Sequence, residues 1–441
     1  MRSGARVEYS PDVKRAVVKQ EPRRSILTRR RFQLLGALIA GALMPYLVRG
    51  WINPLAFDRA TAINALTGNI LAVLITFWTR LSLEPYPGIR SSYVILPASL
   101  AGHGLVIFGF LLTRLPYDVT ALSTGFMLHV FWNYSVYLAG ERRVRRRFAV
   151  VPFGKAPSLV GIEDVDWKPL KRPHLGDAAQ CHAIVADFSA DLPDKWESFL
   201  ADAALAGRMV FQVKQLSESL TGRVELDHLS ENSFGSLVPA RGYFHLKAVI
   251  DFIVAFLALP FVLPVMAVAA VAIRIEGGGP TLFKQRRLGH AGSIFTAYKF
   301  RTMKVVELSG GDDAVRKALA TDEDDPRITK VGRVLRKYRI DELPQVFNIL
   351  RGEMSWIGPR PEPEILSRWF VAEIPFYRYR HVVRPGISGW AQVNQGYTSG
   401  VDGINRKLQY DFYYIKYFSP WLDLLILFKT LKTMLTGSGA R

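Results

Sequence analysis

Residues 247–273 read KAVIDFIVAFLALPFVLPVMAVAAVAI, and this stretch decides how the chain meets a membrane. It is long enough to cross a hydrocarbon core, which takes roughly 20 apolar residues in a helix. Two features argue against a simple crossing. Pro260 and Pro264 lie inside the run, where each removes a helical hydrogen bond and crowds the turn before it. Lys247 and Arg274 stand at its two ends, so basic-residue asymmetry gives it no preferred direction. We read a re-entrant helix over 247–275 that enters, bends at the prolines and returns to the same face. An ordinary span would carry everything after it to the other side.

Upstream lie four more apolar segments, at 33–51, 60–78, 92–112 and 119–140. Each is near the length of a membrane span. The third carries only His103 and the fourth only His129, read as helix–helix hydrogen-bonding groups or as headgroup-level residues. The polar, basic arm 1–31 ends in Thr28-Arg29-Arg30-Arg31, and Glu141-Arg142-Arg143-Val144-Arg145-Arg146-Arg147 follows the fourth segment. Basic flanks favour the cytoplasmic side, so both ends of a four-helix bundle over 32–147 are expected there. The arm itself would lie against anionic headgroups.

Residues 148–240 change character. Short apolar runs at 149–153, 183–188 and 209–213 read as strands, and 196–205 reads as a helix. Strand, helix, strand predicts a small Rossmann-like α/β domain with a parallel sheet. No G-x-G-x-x-G follows a strand, so a docking or regulatory role is expected rather than nucleotide binding.

Composition narrows the partners. The 441 residues hold 57 Lys and Arg against 38 Asp and Glu, a net charge of +19, and 49% are hydrophobic. Such a chain suits anionic lipid or a phosphorylated substrate. Nucleic acid is not expected, because the chain has no zinc-ligand spacing, RNP-type strand or helix-turn-helix pattern and its charge lies beside apolar segments. Cys181 is the single cysteine. It excludes an internal disulfide and reads as a small packed hydrophobe.

The remainder, 241–441, carries the chemistry. Cations recur beside turns in Phe283-Lys284-Gln285-Arg286-Arg287-Leu288-Gly289, Tyr298-Lys299-Phe300-Arg301-Thr302-Met303, Gly332-Arg333-Val334-Leu335-Arg336-Lys337, Gly358-Pro359-Arg360-Pro361 and Arg384-Pro385-Gly386-Ile387-Ser388-Gly389-Trp390. Guanidinium groups on stiff turns grip phosphate in a fixed direction. Among these clusters lies one acidic pair, in Arg339-Ile340-Asp341-Glu342-Leu343-Pro344-Gln345. By itself the pair equally fits a helix N-terminus, with Pro344 in the first turn and one carboxylate as its cap. On a helix, neighbours point about 100° apart, so the two carboxylates are expected to do different work.

Taken together, these motifs from Lys247 to about Leu435 resemble the catalytic domain of the monotopic phosphoglycosyl transferases, the bacterial sugar transferase family. The α/β domain and four spans ahead of them resemble its large members. The resemblance implies a mostly α, monotopic catalytic domain on the cytoplasmic face of a bacterial inner membrane, and a homodimer. It implies transfer of a hexose 1-phosphate from a UDP-sugar, UDP-glucose or UDP-galactose, to polyprenyl phosphate, with loss of UMP. This is the first membrane step of exopolysaccharide or O-antigen-type glycan synthesis. Asp341 matches the nucleophile that becomes a phosphosugar-aspartate. Glu342 matches the second member of the pair, its role open between Mg²⁺ and the acceptor, and Mg²⁺ is expected on Asp341 and Glu342. Lys299, Arg336 and Arg360 match phosphate-handling cations, and the clusters add Arg287, Arg301 and Arg384. Asp251 and Pro264 belong to the re-entrant helix, with Pro264 matching the residue that breaks it. Ala248 and Leu263 depart from the family pattern, which often has a base and a serine there. Residues 305–321, with Gly310-Gly311, read as a loop that closes over the donor. The aromatic stretches 410–414 and 418–421 read as interfacial helices, and His290 and His381 as structural. The rival reading is a non-catalytic scaffold for polysaccharide assembly.

Overall fold

A computed structural model describes residues 26–52, 58–83, 91–140, 146–162, 165–224, 239, 241–304, 325–395 and 401–436. Most of the basic arm, the start of the 141–147 basic run and the loop 305–321 lie outside the described residues. The chain divides into two compact units, Met1–Gly222 and Arg223–Arg441.

The first unit opens with helices α1 (Arg30–Leu38) and α2 (Met44–Ile52), joined by a π-helical turn over Ile39–Leu43. Pro45 follows that turn. A proline cannot donate to the carbonyl four residues back, and a wider turn absorbs the missing bond. Then come α3 (Arg59–Leu83), α4 (Ser91–Thr113) and α5 (Val119–Ala139). Arg49 donates to Asp118 at 2.7 Å, Asn64 donates to the Pro116 carbonyl at 2.8 Å, and the Asp118 amide donates to Thr61 O at 3.3 Å. These bonds gather the end of α2, the start of α3 and the α4–α5 turn at one end of an up-and-down bundle.

Arg30–Trp51, Arg59–Leu83 and Val94–Thr113 are long and apolar enough to cross a membrane, as is Gly242–Glu276 in the second unit. The chain is a membrane protein. The fourth expected span differs. α5 has the length, but Thr120, Ser123, Thr124, Asn133 and Ser135 dilute its apolar character. Two of its polar groups turn inward: His129 and Asn133 are buried, Asn133 donates to the His129 carbonyl at 2.8 Å, and the His129 and His103 rings lie 5.5 Å apart. Both histidines therefore face the interior of the bundle.

Four parallel strands follow, β1 (Arg146–Val150), β2 (Val165–Pro169), β3 (Ala183–Ala186) and β4 (Met209–Gln212), in the order β2-β1-β3-β4. Their side chains alternate between two cores. Ala149, Ile184 and Ala186 meet Trp196, Phe199 and Ala203 of α6 (Asp194–Leu205), with Cys181 packed among them. Phe148, Val150, Ala183 and Val185 meet Val213 and Leu216 of α7 (Val213–Thr221). β2 is an edge strand of sequence VDWKP, and a short, charged edge has no apolar run to announce it.

The second unit opens with α8 (Arg241–Glu276), one helix of 36 residues. The break expected at the prolines is absent: helical geometry continues through Pro260 and Pro264. The arms of α8 pack on the rest of the unit and its middle does not. Ala255 meets Phe295 and Ala297, while Ala269 and Ile273 meet Phe300 and Leu335. Between them Phe256, Leu257, Phe261, Leu263, Val265 and Val268 face outward, with Phe261 78% exposed. The first arm is pinned by polar contacts. Lys247 donates to Asp423 at 2.7 Å, Tyr243 and Tyr414 donate to the same carboxylate, and Ser355 donates to Asp251 at 2.6 Å.

A hairpin of β5 (Leu282–Leu288) and β6 (Ile294–Phe300) comes next. The remaining elements are α9 (Lys330–Lys337), a 3₁₀ turn (Ile340–Gln345), α10 (Val346–Leu350), β7 (Ser355–Ile357), α11 (Glu364–Glu373), β8 (Gly386–Ser388) parallel to β7, α12 (Trp390–Gln395), α13 (Val401–Lys416) and α14 (Pro420–Thr436). The aromatic stretch expected at an interface is core instead. Phe412, Tyr413, Tyr414, Leu422 and Ile426 are all buried, so these side chains pack against the unit itself.

Candidate active site

The acidic pair is presented by a strained turn. α9 ends at Lys337, and Arg339 adopts φ 54°, ψ 25°, a left-handed conformation that costs a non-glycine residue on the order of 1 kcal/mol. That residue reverses the chain and starts the 3₁₀ turn, whose first turn holds Asp341 and Glu342. At three residues per turn the two side chains diverge by about 120°. Neither carboxylate caps a helix amide, so the simple N-cap reading fails.

Glu342 is the anchor. Its Oε1 accepts from Lys299 Nζ at 2.9 Å and from Arg360 Nη2 at 2.7 Å, and Arg339 lies 3.7 Å from its Oε2. Oε2 is buried and accepts no hydrogen bond. Asp341 is buried beside it and accepts no side-chain hydrogen bond among the described residues. Burial pushes both acids up, but the outcomes are opposite. Arg360, Lys299 and Arg339 outweigh burial at Glu342 and hold it well below the usual range. At Asp341 burial and the neighbouring Glu342 charge win over Lys299, Arg360 and Arg336, and its pKa is raised. One carboxylate thus organises the cations, and the other is left more basic and unencumbered.

The cations come from separate elements. The β5–β6 register puts Gln285, Arg287, Phe295, Ala297 and Lys299 on one face and Phe300 on the other; Phe295 and Ala297 of the first face pack on α8, and Lys299 of that face reaches Glu342. Burial brings Lys299 down to about 8, against the pull of Glu342. Arg360 follows β7 in Gly358-Pro359-Arg360-Pro361, and close backbone contact locks this turn to the one before β8. A Cβ on Gly386 would stand 2.1 Å from the Gly358 nitrogen, and one on Gly358 would stand 2.3 Å from the Arg384 carbonyl oxygen. Gly386→Ala is therefore expected to cost about 2 kcal/mol or more, read as a lower unfolding temperature of the purified protein in detergent.

Two guanidiniums hold the Arg360 turn from behind. Arg380 donates to the Arg360 carbonyl at 2.9 Å, and Arg287 donates to the Pro361 carbonyl. Arg380 is buried against Asp411 at 2.8 Å and donates to Tyr377 at 2.6 Å. Beside them Glu362 pairs with Lys407, whose charge, with that of Arg380, overcomes burial and brings Glu362 to about 2.

The expected phosphate-binding residues divide. Lys299 and Arg360 meet the pair directly. Arg336 lies close enough to act on Asp341 electrostatically, and its Nη1 is buried with no hydrogen-bond partner. Arg287 sits one layer back, held by Gln285 and Pro361, and burial lowers it to about 10. Arg301 and Arg384 are not brought to the pair. Arg301 donates to the Gly277 and Gly278 carbonyls at 2.7 and 2.8 Å, and Arg384 lies over the Phe244 ring at 5.4 Å. Asp251 and Pro264 belong to α8, away from the chemistry. Sequence reading missed Arg339, Glu362, Arg380, Lys407 and Asp411 as parts of the site. The first two stand inside or beside the quoted motifs, so proximity to Asp341 and Arg360 was the available signal.

Mg²⁺ prefers one or two carboxylates plus substrate phosphate oxygens over an all-protein cage. Among the described residues no group of three or more His, Cys, Asp or Glu side chains gathers. Glu342 Oε2, buried with no hydrogen bond, and the neighbouring Asp341 carboxylate fit the smaller donor set that such an ion accepts.

Comparison with known proteins bears on the family. Residues 242–437 match the model of the bacterial sugar transferase family. The chain is 44% identical over 409 residues to a UDP-N-acetylgalactosamine-undecaprenyl-phosphate N-acetylgalactosaminephosphotransferase of Aeromonas hydrophila, covering 92% of this chain and 95% of that one. It is 39% identical over 188 residues to a UDP-glucose:undecaprenyl-phosphate glucose-1-phosphate transferase of Escherichia coli, covering 42% of this chain and 39% of that one. A protein of the same description from Caulobacter vibrioides is 40% identical over 196 residues, covering 44% and 71%. With a relative matched along nearly its whole length, the chain belongs to the bacterial sugar transferase family.

Proposed function

We propose that this protein transfers a sugar 1-phosphate from a UDP-sugar to polyprenyl phosphate, releasing UMP, through a covalent intermediate on Asp341. The observation that carries the reading is the division of the acidic pair: Glu342 gathers Lys299, Arg360 and Arg339, while Asp341 keeps a raised pKa and free oxygens. An Asp341 oxygen attacks the sugar-bearing phosphorus, and the phosphoanhydride bond to UMP breaks. A phosphate oxygen of the lipid then attacks the same phosphorus, and Asp341 leaves as a free carboxylate. Lys299, Arg360 and the unpaired Nη1 of Arg336 stabilise negative charge on the transferring group. Asp341 and Glu342 Oε2 are the residues that would hold Mg²⁺, which when bound supplies further neutralisation of the diphosphate.

Both arms of α8 packing on one body supports a re-entrant seating, with the middle of the helix in the bilayer and the catalytic unit on the cytoplasmic face. The donor reading sharpens from glucose or galactose toward an N-acetylhexosamine. The Aeromonas hydrophila relative matches 92% of the chain, and the two glucose-transferring relatives match 42% and 44% of it. Membranes supplied with polyprenyl phosphate and a panel of UDP-sugars test this by UMP release. UDP-N-acetylgalactosamine is expected to turn over fastest, and no UMP from any donor would leave the scaffold reading.

The same groups predict a bell-shaped pH dependence. Asp341 must be ionised to attack, so activity rises as pH passes its raised pKa. Lys299 must be charged, so activity falls as pH rises through about 8. kcat/KM reports free-enzyme groups, and Lys299→Arg, charged at every accessible pH, is expected to remove the basic limb.

A further inference from the structure

Arg301 and Glu276 sit at a junction that phosphate binding does not use. Arg301 bridges the Gly277 and Gly278 carbonyls just past the end of α8. Glu276, the last residue of α8, accepts from the Val331 amide at 3.0 Å in the first turn of α9. Thr329 caps the same turn by accepting from Gly332. Below these polar contacts Ala269 and Ile273 of α8 pack with Leu335 of α9, and Ile340, the residue before Asp341, rests on the same cluster. α9 then carries Arg336 and leads through the strained Arg339 to the acidic pair. The exit arm of the membrane helix is thus joined at one end of α9 and the reacting groups stand at the other.

We propose that Glu276 and Arg301 are positioning residues for the transfer reaction, holding α9, Arg336 and Asp341 in register with the seated exit arm of α8. The inference rests on the transferase reading of the site. A forked guanidinium can bridge two carbonyls, and an ammonium replaces the charge without the fork. That difference separates positioning from phosphate binding at Arg301.

The test uses the full-length protein in nanodiscs, with UMP release read as kcat and KM for the UDP-sugar. Glu276→Ala, Arg301→Ala and Arg301→Lys are each expected to lower kcat about tenfold, with KM for the donor changed less than twofold. Glu276→Gln, which keeps an acceptor oxygen, recovers most of the activity. Hydrogen exchange at the amides of 331–335 should accelerate in the alanine variants, and this readout requires no turnover. It also guards against a variant that merely misfolds, since exchange elsewhere in the unit should be unchanged. The proposal is overturned if Arg301→Lys retains full kcat, if Arg301→Ala raises KM with kcat intact, or if Glu276→Ala changes neither kcat nor exchange. If the wild-type protein released no UMP from any donor, the transferase reading would fail, while the exchange data would still decide the junction.

Discussion

Asp341→Asn loses about 10⁴-fold or more in UMP release, the scale on which removal of a covalent nucleophile acts. The amide is nearly the same size and occupies the same place in the 3₁₀ turn, so folding should be preserved. It cannot attack phosphorus, because its lone pairs are drawn into the amide. The comparison that gives the experiment its force is Glu342→Gln. This change leaves Asp341 in place but loosens Lys299 and Arg360, and removing the Glu342 charge withdraws one cause of the raised Asp341 pKa. Its loss should be smaller and should rise with KM for the donor, because the cations then hold phosphate less well. Equal losses with identical kinetics would deny the division of labour between the two acids. Steady-state UMP release from variants matched for membrane content is the measurement.

Asp411→Asn destabilises the catalytic unit by about 3–5 kcal/mol, the cost of removing one partner of a buried ion pair. Arg380 is 4% exposed and Asp411 1%, so the guanidinium cannot turn to water when its partner is neutralised. Arg380 also holds the Arg360 carbonyl and the Tyr377 hydroxyl. The defect should therefore reach the site: the variant is expected to show raised KM for the donor even at temperatures where it remains folded. Thermal unfolding in detergent, followed by kinetics well below the midpoint, separates the two effects. A variant with wild-type midpoint would mean that the pair is solvated in the working protein.

Much of this was legible in the sequence, for identifiable reasons. Helix length and hydropathy exposed the bundle, and the short, continuous apolar runs at Ala149–Val151 and Ala183–Ala186, with a helix between strands, exposed the parallel sheet. Asp341, Glu342, Lys299 and Arg360 stood out because a single acidic pair among clustered cations carries chemistry in its residue types. Arg301 and Arg384 were misplaced because an arginine's charge says nothing of its partner. One found two carbonyls and the other an aromatic ring. The Arg380–Asp411 pair was hidden because its members meet only through tertiary packing. The continuity of α8 through Pro260 and Pro264 was missed because proline removes a bond without obliging a helix to end.

The account stands most directly on the covalent step. Purified protein should be incubated with UDP-sugar carrying a label in the sugar, with no lipid acceptor, then denatured and its intact mass measured. We expect one sugar phosphate per chain, a matching burst of UMP, loss of the label on adding polyprenyl phosphate, and no label on Asp341→Asn. UMP released only when lipid is present, with the protein mass unchanged throughout, would contradict it.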